Sequence, residues 1–183
     1  MICSDIYKVL TANQCGLKNL DKLGASREYN LLILTGISGS GKTTLSERLE
    51  ELENVEVIHL DDYMNSCVGF KFDCQFSNWL NSRRPALQLT LENGYFTDKL
   101  IDWFFEELFL YAESQYPNRI VVAEGLHWID PDVGMIFEKA KLMPIAVCTA
   151  DVEIASSRSK NSSTENFIEW QHIWHNRIKE LLS

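Results

Sequence analysis

Positive charge is what this sequence holds least of. Seventeen Lys and Arg stand against 26 Asp and Glu, a formal net charge of −9 over 183 residues. A broad nucleic-acid surface is normally basic, so this balance argues against a nucleic-acid partner, although it leaves room for a local basic groove. Long apolar runs are missing too. No stretch approaches the roughly 18 apolar residues of a membrane-crossing helix. The start, Met1-Ile2-Cys3-Ser4-Asp5, lacks a basic segment leading into an apolar one. No secretory signal is therefore expected, and the expected compartment is the cytoplasm, with no membrane partner. The five cysteines, Cys3, Cys15, Cys67, Cys74 and Cys148, are odd in number and form no Cys-x-x-Cys pair. That speaks against both a disulfide framework and a thiolate metal site. Reduced thiols are expected, with Cys148, set in an apolar run, in the core.

What is present is ordinary for a globular chain: 45% hydrophobic and 23% charged residues, in a length suited to one domain with a real core. Four short apolar runs read as buried strands: Leu31–Thr35, Val55–His59, Arg119–Ala123 and Met143–Cys148. Helical patterns separate them: Thr43–Glu53, Tyr95–Tyr116, Pro131–Ala140 with Asp130 as its cap, Asp151–Arg158 and Glu165–Leu182. Alternation of strand and helix implies a parallel sheet with right-handed crossovers. Residues 1–30 read as a helical extension covering the sheet or one of its edges. Residues 70–90 read as a loop and short-helix excursion near the mouth of the site.

Between the first apolar strand and the first of these helices stands Gly36-Ile37-Ser38-Gly39-Ser40-Gly41-Lys42-Thr43. It fills the pattern Gly, four residues, Gly-Lys-Ser/Thr, in the strand–turn–helix context that separates a phosphate-binding loop from a chance match. Glycines let successive N–H groups converge on one anion, and the following helix adds the positive end of its dipole. The expected nucleotide-binding residues are Gly36, Ser38, Gly39, Ser40, Gly41, Lys42, Thr43 and Thr44. Lys42 has the reach for β- and γ-phosphates, and the Thr43 hydroxyl suits Mg²⁺.

Acids follow the next two strands. Asp61 and Asp62 come directly after Val57-Ile58-His59-Leu60, where parallel sheets bind ligands. One of them is expected to act on an attacking hydroxyl or a metal; the alternative is a helix cap before Tyr63. Glu124-Gly125 follows Ile120-Val121-Val122-Ala123. Glu124 is placed to hold a metal-bound water, and the alternative is a simple strand-ending turn.

Together, Gly36–Thr44, His59-Leu60-Asp61-Asp62-Tyr63 and Val122-Ala123-Glu124-Gly125-Leu126 resemble the uridine kinase and nicotinamide riboside kinase branch of the P-loop kinases. The resemblance runs from Leu31 to Leu126. It implies transfer of the ATP γ-phosphoryl group to a hydroxyl of a small-molecule acceptor, often a nucleoside. Asp61 is matched to the catalytic base and Glu124 to the Mg²⁺-linked acid. The expected fold class is α/β, a three-layer P-loop NTPase fold with a parallel sheet of four or five strands flanked by helices. The expected cofactors are ATP and Mg²⁺; no Asn-Lys-x-Asp guanine-reading motif is present, which favours ATP.

Three departures qualify the resemblance. The family's lid usually carries several arginines, whereas residues 151–164 hold Arg158 and Lys160 alone; Arg158 is assigned to transferring charge, with a solvated helix end as the alternative and Arg177 as a substitute. No acceptor-binding stretch is evident, only Trp79 and Tyr63 as stacking groups and Arg83-Arg84 as anion holders. No strand follows the lid: Glu165–Leu182 reads as one amphipathic helix in which Trp170, Trp174 and Ile178 share a face suited to core or partner packing. Trp103, Phe104 and Phe105 read as core. The competing function is a nucleotide-binding module without efficient transfer, distinguished by nucleotide binding with no phosphorylated product. A kinase acting on nucleic acid fits the charge poorly.

Overall fold

The computed structural model describes residues 2–25, 30–60, 75–83, 98–160 and 162–183. In chain order its elements are α1 (Ile2–Ala12), β1 (Gly16–Lys18), β2 (Leu31–Thr35), α2 (Lys42–Glu50), β3 (Val55–His59), α3 (Gln75–Arg83), α4 (Asp98–Gln115), β4 (Ile120–Glu124), α5 (Gly134–Ala140), β5 (Ile145–Val147), α6 (Val152–Arg158) and α7 (Phe167–Leu182). Short 3₁₀ turns fill Leu20–Lys22, His127–Ile129 and Pro131–Val133. The last of these splits the expected 131–140 helix, so Asp130 precedes a 3₁₀ turn and does not cap an α-helix.

The strands form one sheet in the order β1-β5-β2-β4-β3. Every residue of β2 is buried, as a non-alternating run covered on both faces requires. Leu31 and Ile33 pack with Val121, Ala123, Ile145 and Val147 against α4, α5 and α7. Leu32 and Leu34 pack with Val55, Val57, Val122 and Ala146 against Ile6 and Leu10 of α1 and Leu45 and Leu49 of α2. Trp103, Phe104 and Phe105 of α4 lie in the core as expected.

The expectation of a parallel sheet fails at one edge. β2, β3, β4 and β5 pair in parallel, but β1 pairs antiparallel with β5, Gly16 opposite Val147 and Lys18 opposite Ile145, so the sheet is mixed. The fifth strand comes from the N-terminal segment and not from beyond the lid. Gln14, at φ 55, turns the chain after α1 and lays Gly16–Lys18 along the β5 edge. A three-residue strand with one large apolar side chain carries no periodicity to read, and an antiparallel edge strand on an otherwise parallel sheet is a common arrangement.

The face of α7 expected to pack on the core or a partner is partly buried. Phe167, Gln171, Ile178 and Leu181 are buried, and Trp174 packs partly buried against the core. Trp170 is 40% exposed, although its ring centroid lies 6.3 Å from that of Trp174. Among the described residues no helix is long and apolar enough to cross a membrane.

Candidate functional site

The parallel register brings the carboxyl ends of the strands level. Leu34 of β2 and His59 of β3 both stand opposite Glu124, the last residue of β4. Residues paired across neighbouring strands put their side chains on the same face. His59 Nδ1 accordingly lies 2.7 Å from Glu124 Oε2, with Glu124 buried and His59 about half exposed. The ladder runs one step further on each side. Leu60 N–H donates to the Glu124 carbonyl at 2.8 Å, Gly125 N–H to that of Leu34 at 3.0 Å, and Cys148 N–H to that of Thr35 at 2.8 Å. The chain therefore leaves β2, β3, β4 and β5 at one edge, where parallel sheets bind their ligands.

The glycine-rich loop occupies this edge. Gly39 (φ 81) and Gly41 (φ 96) hold left-handed backbone that side chains disfavour, and Gly41 precedes α2 with no side-chain cap. The first N–H groups of α2 are thereby left to an external acceptor. Ser40 N–H closes the loop on the Ile37 carbonyl at 3.1 Å. Lys42 is 8% exposed, and its Nζ donates to the Gly36 and Ile37 carbonyls at 3.1 and 3.3 Å, which holds the ammonium at the loop and out of solvent. Thr43 and Thr44 are exposed on the first turn. Ser40 Oγ and Thr35 Oγ1 are buried without a partner among the described residues. A buried hydroxyl left unpaired costs free energy, and at this loop a phosphate oxygen is the kind of partner that would satisfy it.

The C-terminal helices rest directly on the loop. Gln171, fully buried on α7, accepts from Ser38 N–H through Oε1 at 3.0 Å and donates through Nε2 to the Ser38 carbonyl at 2.6 Å. Ser38 Oγ and Ser159 Oγ are 2.8 Å apart. A Cβ at position 39 would collide with the carbonyl oxygen of Ala155 on α6. Asp151 caps α6, accepting from the N–H groups of Glu153 and Ile154 at 3.0 and 3.2 Å. Arg158 ends that helix exposed to solvent, as does Lys160 just beyond it.

Sequence reasoning missed Gln171, Ser159 and the partnership of His59 with Glu124. One signal was available for the first: a glutamine occupies the slot between Phe167 and Trp174, where the three-and-four spacing of α7 calls for an apolar residue. The other two depend on strand register and helix placement, which a single chain does not print. Arg177, offered as a substitute lid cation, is committed elsewhere: its guanidinium lies 3.8 Å from the Phe137 ring centroid and 2.6 Å from Glu180. Arg83 and Trp79 belong to one cluster, in which Glu107 accepts from Trp79 Nε1 at 2.7 Å and pairs with Arg83 Nε at 2.5 Å. The buried Glu107 carboxylate neutralises Arg83, which weakens its case as an anion holder. Asp61, Asp62, Tyr63 and Arg84 lie outside the described residues.

The sequence matches no family model and no curated protein. Among solved structures, a chain of the "Structure of the Pnkp1/Rnl/Hen1 RNA repair complex" aligns at 15% identity with a TM-score of 0.44. The alignment covers 82% of this chain, which spans 45% of the length of the other. A likeness that weak carries no functional argument.

Charge gathers at the same edge. The Cys148 thiol, one residue past β5, is pushed up by a hydrogen bond with Cys15 and then by burial, while Lys42 and Glu124 pull on it in opposite directions. A separate cleft of about 300 Å³, lined by residues including Asn30, Tyr116 and Arg119, opens at the amino-terminal ends of β2 and β4. It holds neither the loop nor the strand-end acid.

Proposed function

We propose that the protein binds ATP at Gly36–Thr44 and transfers its γ-phosphoryl group to a hydroxyl of a small-molecule acceptor. The observation that carries this reading is the loop's geometry: left-handed backbone at Gly39 and Gly41, an uncapped start to α2, and Lys42 drawn in over the loop carbonyls. An uncapped helix start beside an ammonium is the kind of surface a polyphosphate binds. Thr43 and Glu124 are the residues that would hold Mg²⁺, which supplies charge neutralisation across the phosphate oxygens. One or two protein ligands suffice for that ion, since it keeps waters and takes phosphate oxygens besides. Among the described residues no group of three or more His, Cys, Asp or Glu is suited to hold a metal. Lys42 is the cation placed to meet charge on the transferring group, with Arg158 the second. His59 holds the Glu124 carboxylate in a single orientation. Asp61, assigned from its position after β3, accepts the proton of the attacking hydroxyl.

The test is incubation with γ-labelled ATP and Mg²⁺ against a library of nucleosides, nucleotides and sugars, with the labelled product identified by mass. Asp61→Asn should abolish transfer while leaving ATP binding largely intact. Normal turnover in that variant sinks the base assignment. A second reading, a nucleotide-binding module that reports to a partner, draws on the Ser38–Gln171 hydrogen bonds, which tie the loop to a helix bearing an exposed Trp170. Nucleotide binding without labelled product across the library would favour it.

A further inference from the structure

The antiparallel edge that closes the sheet sets two cysteines face to face. Gly16 stands opposite Val147, so the next step of the same register sets Cys15 against Cys148. The register holds at that end, because Thr149 Oγ1 donates to the Gln14 carbonyl at 3.2 Å, one step further on. Cys15 and Cys148 pack together with Leu17 and Ala146, the adjacent pair on the same side of the sheet. Opposed residues in an antiparallel pair have Cα atoms about 4.5–5.5 Å apart, inside the range of about 4.4–6.8 Å that a disulfide spans. Both thiols are free, Cys148 buried and Cys15 half-buried. Cys148 also walls the phosphate-binding loop: its carbonyl oxygen lies 2.6 Å from where a Cβ on Gly36 would stand.

We propose that Cys15 and Cys148 are a peroxide-oxidisable pair that forms a cross-strand disulfide beside the loop. This inference is independent of the phosphoryl-transfer reading. Cys15 is the accessible member and attacks first. Its thiolate sulfur bonds to one peroxide oxygen, the O–O bond breaks, and the departing hydroxide takes a proton to become water. The resulting sulfenic acid is then attacked by the Cys148 sulfur. The S–S bond forms, the S–O bond breaks, and hydroxide leaves with the Cys148 proton as a second water. Two thiols and one peroxide thus give one disulfide and two waters. The hydrogen bond between the two thiols supports the order of events, since it lowers the pKa of Cys15 and raises that of Cys148. The reduced thiols expected from composition are the resting form of the pair.

The experiment is hydrogen peroxide treatment of the full chain, alkylation of the remaining thiols, and a tryptic map. Cys15 is the only cysteine in peptide 9–18, and Cys148 the only one in peptide 142–158. The expected result is one linked species of these two peptides, lighter than their sum by two hydrogen atoms and separated again by dithiothreitol. In Cys148→Ser, Cys15 should persist as a sulfenic acid that a dimedone probe labels, whereas the wild-type protein should label weakly. The wild-type map decides alone if that variant does not fold. Strong dimedone labelling of wild-type Cys15, oxidation that bypasses Cys15, or a bridge from either residue to Cys3, Cys67 or Cys74 overturns the proposal.

Discussion

Gly39 is the residue on which the loop and the C-terminal helices both depend. Its φ of 81 costs an L-residue about 1–2 kcal/mol, and the Ala155 carbonyl stands where a side chain would begin. Gly39→Ala should therefore destabilise the protein by about 2–4 kcal/mol, strain and overpacking together, read as a lower midpoint in thermal unfolding. An unchanged midpoint would mean that α6 does not seat on the loop as described. The need for glycine at 36, 39 and 41 was legible from the motif, because anion-cradling backbone has few other solutions. The close contact that makes Gly39 doubly intolerant was not legible, since Ala155 lies more than a hundred residues away and its approach is set by packing. His59 makes the same point in reverse. Its identity was plain in the sequence, but only the β3–β4 register makes it the partner of Glu124.

At the scale of elements, α7 carries two further expectations. Gln171→Ala would remove both part-buried hydrogen bonds to Ser38, a loss of about 1–3 kcal/mol for the two together. Gln171→Glu can still accept from Ser38 N–H, but it cannot donate to the carbonyl, and it brings a negative charge to the proposed phosphate site. Calorimetric titration should accordingly find ATP affinity reduced more in the Glu variant than in the Ala variant; equal affinities would separate α7 from the nucleotide. Further along the helix, His175 has its pKa lowered by burial, then by Lys179 and His172. Well above pH 6.5 it is neutral in folded and unfolded chains alike. As pH falls below that value, the unfolded chain takes up the proton first, so stability drops until the folded form titrates too. His175→Asn should flatten that acid limb in thermal midpoints measured from pH 7 to pH 5. The α7 helix itself was readable from the spacing of its apolar residues. Of the face read as suited to core or partner packing, Trp174 and Ile178 pack on the core and Trp170 stays on the surface, while the buried glutamine was not read.

For the molecule as a whole, the N-terminal segment is part of the core. Ile6 and Leu10 of α1 are fully buried against α2 and the sheet, and β1 covers the open edge of β5. Removing residues 1–18 should bare both an apolar face and an unpaired strand edge, so the shortened chain should elute as aggregates in size-exclusion chromatography. Ile6→Ala in the full chain should cost about 2–5 kcal/mol in denaturant unfolding. The four parallel strands were legible as branched apolar runs; the antiparallel one was hidden by its brevity. That hidden strand also sets a schedule for biosynthesis. Gly16–Lys18 leaves the ribosome first, and its partner Ile145–Val147 follows roughly 130 residues later, on the order of ten seconds at ordinary elongation rates. The first helix can settle on α2 well before then, but the β1 edge of the sheet can close only after Ile145–Val147 has emerged.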